Sequence, residues 1–376
     1  MPNIVDKYNQ AERAGRATVS NRAIESFSLE LWNTLGYPFK VDSESELWRY
    51  HDVMQEGRYN ENLRLIGSYS DHDFDLVTST AKQILSFSER ELPIRNSGKH
   101  ALTRSLHQYQ LLMKHRPHDG PLRVLEIGPG SGYLGLLLAN DGHQYFAMDA
   151  AQAFYLYQKK LWSDIYGADY FDYSESSSRT DNAKVTHIPW WRFANLSIPI
   201  PDVDIVTINH ALTEMHPQAV KTIFARLYSA WGDNDKKLVL AESLGYDYFK
   251  RKDAMLADIR AKSFTVNCIT NRVTIFRPNS GAATAQLVEL GRRPTFGVRI
   301  KSRLRKRIIN LVVRSLRHPF GQQLAKLIKR GPIHHDKLTA AIDAQTQPLH
   351  DFFENLVADE RTPDEIFEKP RIGDIK

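Results

Sequence analysis

A short glycine-rich segment carries the strongest chemical signal in the sequence. Residues 124–135 read VLEIGPGSGYLG, so an apolar run leads into three closely spaced glycines, Gly128, Gly130 and Gly132. Glycines let a backbone approach a ligand closely, and the N-terminus of a following helix offers free N–H groups and a positive dipole. The segment therefore predicts a binding site for an anionic or carboxylate-bearing ligand.

Two carboxylates near the glycines narrow the choice of ligand. Glu126 lies two residues before Gly128, where a carboxylate would repel a pyrophosphate but attract an ammonium group. Asp149 ends a second apolar run, where an acidic side chain accepts hydrogen bonds from both ribose hydroxyls. The glycine spacing fits both GxGxG and the dinucleotide pattern GxGxxG. The residues alone therefore leave NAD and an adenosyl ligand both open.

A third set of polar residues follows the fourth predicted strand, in the sequence INHALTEMH at 208–216. The carboxyl ends of strands in an open α/β sheet line the ligand crevice, so we expect Asn209 and His210 beside the ligand. Histidine suits general-base chemistry near neutral pH, and a helix beginning near His210 would place Glu214 one turn on to orient the imidazole. Alternatively, His210 caps the helix and Glu214 pairs with a basic side chain. A metal site that includes His216 lacks a further ligand cluster, and we predict no metal.

Seven apolar runs supply the strands that would position these residues. Five alternate with helix-length segments, which predicts βαβ units and a buried parallel sheet. Two are separated by only two residues, which predicts an antiparallel hairpin at the sheet edge. We expect an α/β fold with a Rossmann-like, doubly wound, mainly parallel seven-stranded sheet. The runs are Arg123–Ile127, Gln144–Met148, Lys184–Ile188, Val203–Ile208, Lys237–Ala241, Phe264–Ile269 and Arg272–Phe276.

The chain divides into three predicted segments. Residues 1–118 form an N-terminal helical cap region, because from about Arg22 apolar residues recur at intervals of three and four. A sequence rich in proline and glycine then marks a break, and residues 119–280 hold the sheet. Residues 281–376 form a C-terminal helical extension with a basic amphipathic helix and an acidic tail.

The net charge of +6 is concentrated in the basic part of that extension. Residues 292–330 hold 13 Lys and Arg and no acidic residue, with apolar residues at helical spacing between them. Such a helix either packs on the catalytic domain against the acidic tail, which we favour, or lies on an anionic membrane surface. Because the rest of the chain is not basic and has no RNA-binding motif, we do not expect a nucleic-acid partner.

The sequence EIGPGSG, followed by MDA, resembles the first two motifs of class I S-adenosylmethionine-dependent methyltransferases. The resemblance covers residues 121–280 and implies S-adenosyl-L-methionine (SAM) as the cofactor. It implies that Glu126 and the glycine turn bind the methionine part and that Asp149 binds the ribose. Tyr133, directly after the last glycine, either faces the sulfonium or packs at the helix start.

A narrower resemblance concerns the acceptor. The sequences SLHQYQLLMKH, MDAAQAFYLYQKKL and INHALTEMHPQA are similar to sugar O-methyltransferases of polysaccharide and glycosylated natural-product pathways. This implies methyl transfer to a hydroxyl of a sugar or glycan, and a lipid-linked glycan would suit membrane contact through residues 292–330. The alternatives are an NAD-dependent oxidoreductase and a non-catalytic, membrane-recruited scaffold with the same fold.

Three further expectations concern compartment and neighbouring residues. A single cysteine, Cys268, and the lack of a secretory or membrane-spanning apolar run predict a cytoplasmic protein. In the alternative in which the basic helix lies on a membrane, the inner membrane surface is the site of that contact. Trp190 and Trp191 either flank an adenine or pack in the core or a lid. Glu242 either is an ordinary polar loop residue, which we favour, or contacts an acceptor sugar.

Overall fold

The computed structural model describes residues 3–27, 38–53, 55, 58–176, 183–242, 252–269, 273–278, 288–289 and 334–356. Within these ranges, five α-helices precede the first strand. They are α1 (Ile4–Arg16), α2 (Asn21–Ser26), α3 (Tyr59–Ile66), α4 (Asp71–Glu91) and α5 (Lys99–His115), with a 3₁₀ helix at Glu44–Tyr50 between α2 and α3.

Helix α1 was not predicted, because its sequence is mainly polar. It begins after Asn3, whose side chain accepts a hydrogen bond from the Asp6 backbone N–H at 2.8 Å. Its buried face consists of few residues, among them Val5, Tyr8 and Gly15. Their spacing of three and seven is helical, but so few apolar side chains give a weak signal.

The sheet contains nine strands in the described part of the chain, and seven of them match the predicted runs. The two additional strands are short and lie at opposite edges of the sheet, so the predicted number of seven was too low. The strands are β1 (Arg123–Ile127), β2 (Gln144–Asp149), β3 (Tyr170–Asp172), β4 (Val185–Pro189), β5 (Ile205–Asn209), β6 (Leu238–Glu242), β7 (Phe264–Ile269), β8 (Val273–Pro278) and β9 (Val288–Glu289).

The strand order is β3-β4-β2-β1-β5-β6-β8-β7-β9. All pairs are parallel except those of β8, which runs antiparallel to both β6 and β7. The predicted hairpin is therefore formed near one edge. In the dinucleotide-binding fold the sixth strand follows the fifth directly in the sheet. Here the antiparallel β8 lies between β6 and β7, which distinguishes this sheet from that arrangement.

The topology fixes where a ligand can bind. From β1 the chain first builds outward on one side, through β2 and β4, and then returns to the other side of β1 with β5. The carboxyl ends of strands at such a switch point form a crevice, because the connections on their two sides diverge. The ends of β1, β2 and β5 are Ile127, Asp149 and Asn209, which places the predicted site at this crevice.

Helices cover both faces of the sheet and continue the core into the N-terminal region. These helices are α6 (Tyr133–Asn140), α7 (Gln152–Tyr166), α8 (Trp190–Ala194), α9 (Pro217–Trp231) and α10 (Lys252–Arg260). One apolar cluster includes residues of α3 to α5, of the sheet and of the C-terminal helix α11 (His334–Leu356). The predicted segment boundaries at residues 118 and 280 stay predictions.

Within the C-terminal extension, residues 281–376, the structure describes β9 and α11. Leu349 and Phe353 are fully buried there, and the Phe353 ring meets Tyr59 of α3 edge to face. The predicted basic helix at 292–330 lies outside the described residues, as do residues 357–376 of the acidic tail. Among the helices that are described, none is long and apolar enough to cross a membrane.

The turn into α6 yields a test of how tightly the glycine segment is packed. Gly132 has φ +78°, and an added Cβ would lie 2.6 Å from the indole of Trp162. Gly142 has φ +82° but nothing within 4 Å of the same position. We expect Gly132→Ala to lower the free energy of unfolding by about 2–4 kcal/mol, from backbone strain plus overpacking. Gly142→Ala should cost only the backbone part, about 1 kcal/mol.

Urea unfolding of both variants measures this difference. Equal losses of stability at Gly132 and Gly142 would contradict the inferred contact with Trp162.

Candidate active site

The glycine turn between β1 and α6 has a backbone that suits glycine at each predicted position. Gly128, Gly130 and Gly132 have φ values of +74°, +59° and +78°. The Gly128 N–H donates to the Met148 carbonyl at 2.9 Å, and Gln158 Nε2 donates to the Gly130 carbonyl at 2.7 Å. An added Cβ at Gly130 would meet nothing within 4 Å, so the turn is held at its base and open at its tip.

Glu126 lies in β1 and is buried. Its Oε2 accepts a hydrogen bond from the Tyr145 hydroxyl at 2.7 Å, and its Oε1 accepts one from Asn209 Nδ2 at 2.9 Å. Burial raises the pKa of Glu126 to about 7, against the two hydrogen bonds, and the Asp149 carboxylate raises it further. The structure therefore joins two predicted site residues, Glu126 and Asn209, by a direct contact.

Asp149 ends β2 and is also buried. Its Oδ1 accepts from the Ala151 backbone N–H at 2.9 Å, and its Oδ2 accepts from Gln158 Nε2 at 3.0 Å. Burial raises the pKa of this carboxyl to about 6, although those hydrogen bonds oppose the shift. Gln158 bridges Asp149 and the glycine turn, a role that the sequence did not reveal.

A pocket with about 440 Å³ of empty space lies at these strand ends. Gly128 and Asp149 belong to its wall, and Phe27, directly after α2, lines it from the N-terminal region. His216 and Met215, just before α9, complete the opposite side.

His210 does not begin a long helix, which corrects the premise of its predicted pairing with Glu214. A short 3₁₀ turn follows His210, and α9 begins only at Pro217. The Glu214 carboxylate has no hydrogen bond or ion pair with any described residue, and burial raises its pKa to about 7. His210 instead lies against residues of α5 and β6.

Those neighbours form a buried polar cluster that the sequence did not predict as a unit. The Glu242 carboxylate, at the end of β6, is fully buried and contacts the guanidinium of Arg104. Gln108 Nε2 donates to Glu242 Oε2 at 3.2 Å, and His107 Nε2 lies 3.7 Å from Oε1. Arg104 Nη2 also lies 2.7 Å from His210 Nε2. Glu242 is thus the residue that the side chains of this cluster contact, and not an ordinary polar loop residue.

Arg104 and Gln108 could have been detected as a pair. They lie four residues apart on α5, so both side chains point toward a common target. Sequence spacing does not reveal that target, because Glu242 lies 138 residues after Arg104.

Tyr133 packs at the helix start and does not line the pocket. Its side chain is 1% exposed, and its hydroxyl lies 3.0 Å from that of Tyr157 and contacts the His51 carbonyl. Of the two predicted roles for Tyr133, the structure shows the packing role.

The tryptophan pair also packs against the N-terminal helices. Trp190 Nε1 donates to Glu12 of α1 at 3.0 Å, and its ring stacks on Phe27 with centroids 5.8 Å apart. Trp191 meets Tyr8 edge to face at 5.2 Å. These contacts match the core or lid role, with Phe27 linking the pair to the pocket.

The sequence predicts no metal site, and this stays a prediction. The described residues bear only on whether possible metal ligands are grouped. Nowhere in the described ranges do three or more His, Cys, Asp or Glu side chains form a group that could hold a metal ion. His210, Glu214 and His216 are therefore not assembled as such a group.

No protein-family model and no curated protein matches the sequence. Solved structures that are similar include a TehB-like SAM-dependent methyltransferase from Corynebacterium glutamicum, with 12% identity, a TM-score of 0.34 and coverage of 46% of this chain and 87% of that one. A second is magnesium protoporphyrin IX methyltransferase from Synechocystis with bound SAH, with 11% identity, a TM-score of 0.32 and coverage of 63% and 100%.

A third is the CcbJ methyltransferase from Streptomyces caelestis, with 8% identity, a TM-score of 0.35 and coverage of 46% and 88%. Because identities and TM-scores are this low, the function of the present chain has to be argued from the geometry of its own site.

The raised pKa of Asp149 leads to a prediction about stability. Between about pH 4 and 6 the folded carboxyl keeps a proton that the unfolded chain has released, so stability falls as pH rises through this range. We expect Asp149→Asn to remove this cost. Its stabilising effect in the ligand-free protein should be about 1 kcal/mol larger at pH 7.5 than at pH 5.

Urea unfolding at the two pH values measures the effect, with Asp119→Asn as the control because the Asp119 side chain is 93% exposed. An Asp149→Asn effect that is the same at both pH values would show that the carboxyl is not strained by burial.

Proposed function

We propose that this protein is a SAM-dependent methyltransferase. The observation that carries the proposal is the placement of two buried carboxylates, Glu126 and Asp149, near the ends of the neighbouring strands β1 and β2, beside the open glycine turn. Asp149 also lines the pocket. Burial raises the pKa of both, so both are charged at a cost when no ligand is present. A ligand that carries positive charge and hydroxyl donors would relieve that cost.

The charge of the site favours SAM over NAD. A pyrophosphate would bring further negative charge toward two carboxylates in a region of low dielectric, where repulsion is strong. SAM carries an ammonium and a sulfonium together with a ribose diol. Glu126 and the turn fit its methionine part, Asp149 fits the diol, and the strand order departs from that of the dinucleotide fold.

We further propose that the acceptor is a hydroxyl of a sugar or glycan. Bound SAM would supply an electrophilic methyl group. His210, adjacent in sequence to Asn209 and partly exposed, would remove the proton of the attacking hydroxyl. Support comes from the polar groups gathered around His210 and from the resemblance of the INHALTEMHPQA segment. Contact of residues 292–330 with a membrane that holds a lipid-linked acceptor belongs to the same proposal.

Calorimetric titration with SAM and separately with NAD tests the cofactor. We expect SAM to bind and NAD not to bind. Asp149→Ala should weaken SAM binding about 10- to 100-fold, because a carboxylate that accepts from both ribose hydroxyls is lost. Asp119→Ala, at an exposed position, should bind SAM as the wild type does.

Two other results would overturn the cofactor proposal. Binding of NAD instead of SAM would favour an oxidoreductase, and binding of neither would favour a non-catalytic scaffold.

The base role of His210 has its own test. We expect His210→Ala to bind SAM within threefold of the wild type and to lose about 10²- to 10⁴-fold in methyl transfer from labelled SAM to a panel of sugar acceptors. His72→Ala, whose parent side chain is 61% exposed, is the control and should transfer normally. Near-normal transfer by His210→Ala would rule out the base role.

A further inference from the structure

The contact between Arg104 and His210 fixes the protonation of the histidine. Arg104 Nη2 lies 2.7 Å from His210 Nε2. A guanidinium has only donors, so Nε2 accepts in this contact and, in a neutral imidazole, the proton is on Nδ1. The lone pair that a general base needs is therefore on Nε2, and it points at Arg104.

Arg104 is itself held in place by its neighbours. Its Nη2 also donates to Glu242, whose other oxygen accepts from Gln108. The side chains of Arg104 and Glu242 are 8% and 0% exposed, whereas that of His210 is 33% exposed. Solvent or a ligand can thus reach the imidazole, while the guanidinium stays fixed behind it.

The backbone at His210 points to the same location. His210 has φ +59°, and of the non-glycine residues in the described ranges only Ser263 shares a positive φ. Its N–H donates to the Glu242 carbonyl at 3.1 Å, so β6 holds this unfavourable conformation. Such strain is concentrated at functional sites in proteins. The preceding residue, Asn209, donates a hydrogen bond to Glu126, which belongs to the proposed cofactor site.

We propose that the Arg104–His210 pair is the binding subsite for the acceptor hydroxyl, with Arg104 as an acceptor-binding residue supplied by the N-terminal helices. A hydroxyl would enter between the two side chains and replace their direct contact. Its oxygen would accept from Arg104 Nη2, and its proton would be donated to His210 Nε2. This inference rests on the proposed function and adds the chemistry of its acceptor.

The pair selects a neutral hydroxyl over other nucleophiles. An ammonium acceptor would be repelled by the guanidinium, and a carboxylate would have no proton to give to Nε2. A hydroxyl satisfies both sides at once, because it is a donor and an acceptor. The subsite therefore fits an alcohol, such as a sugar ring hydroxyl.

The transfer step balances with these groups. The hydroxyl proton passes to His210 Nε2, the oxygen forms a bond to the methyl carbon, and the bond from that carbon to sulfur breaks with its electron pair left on sulfur. The imidazolium that results lies beside Arg104, and Glu242 Oε2, 3.8 Å from Nε2, offsets the added positive charge.

The test is NMR of the full-length protein carrying ¹⁵N-labelled histidine, saturated with SAH. His210 signals are assigned by their loss in His210→Gln. His216 lines the cofactor pocket and reports SAH binding in the same spectrum. The acceptor probes are the methyl glycosides of glucose, galactose, mannose and rhamnose, titrated one at a time.

We expect His210 to show the Nδ1-protonated form without a sugar, and at least one glycoside to shift its Nε2 signal. Arg104→Lys keeps the charge beside Glu242 but loses the guanidinium fork, so it should weaken that glycoside at least tenfold while SAH affinity stays within threefold. Arg90→Lys, at a side chain that is 54% exposed, is the matched control.

The double variant Arg104→Gln/Glu242→Gln guards against misfolding, because it removes the buried cation and the buried carboxylate together. It should still bind SAH and lose the glycoside response. An Nε2-protonated His210, no His210 shift with any of the four glycosides, or a glycoside response unchanged by Arg104→Lys would overturn the subsite. A His216 signal that ignores SAH would instead count against the proposed cofactor.

Discussion

The buried carboxylate of Glu242 is the constraint on which the arrangement around the site depends. A charge with no exposed surface has to be paired and hydrogen-bonded, since its loss of hydration is otherwise too costly. Here the partners, Arg104 and Gln108, come from α5, so that helix must lie across the carboxyl ends of the strands. The start of α5 is fixed in turn by Asp52, whose carboxylate accepts the Ala101 backbone N–H at 2.7 Å. One buried charge therefore determines how the N-terminal helices meet the sheet.

The two carboxylates of the proposed cofactor site are buried without such pairing. Glu126 and Asp149 are hydrogen-bonded, but no basic side chain in the described ranges lowers their pKa, and burial raises the pKa of each. Burying these two charged carboxylates costs free energy. A ligand that carries hydroxyl donors and positive charge would recover part of that free energy when it binds. The partners of Glu242 satisfy its charge within the protein. The charges of Glu126 and Asp149 are not balanced in this way and can interact with a ligand.

The sequence predicted the features that are local. Seven strands, the turn at Gly128 to Gly132 and the position of Asp149 follow from apolar periodicity and glycine spacing, which depend on neighbours in the chain. The partner of His210 could not be predicted in this way. Helical spacing predicts Glu214 as the partner of His210, but the backbone turns at His210. The neighbours of the imidazole are Arg104 and Glu242, which lie far from it in the sequence. The two edge strands were missed because three and two residues carry too little periodicity.

The length of chain between Arg104 and Glu242 has a consequence for how the protein is made. These residues are separated by 138 positions, and the final strands of the sheet follow later still. During synthesis the N-terminal helices leave the ribosome before β6 has been translated. Arg104 therefore cannot pair with Glu242 until that strand has been made. Contacts of such high sequence separation form slowly, because the intervening loop must be closed first. The candidate active site is thus completed only after β6 has been translated.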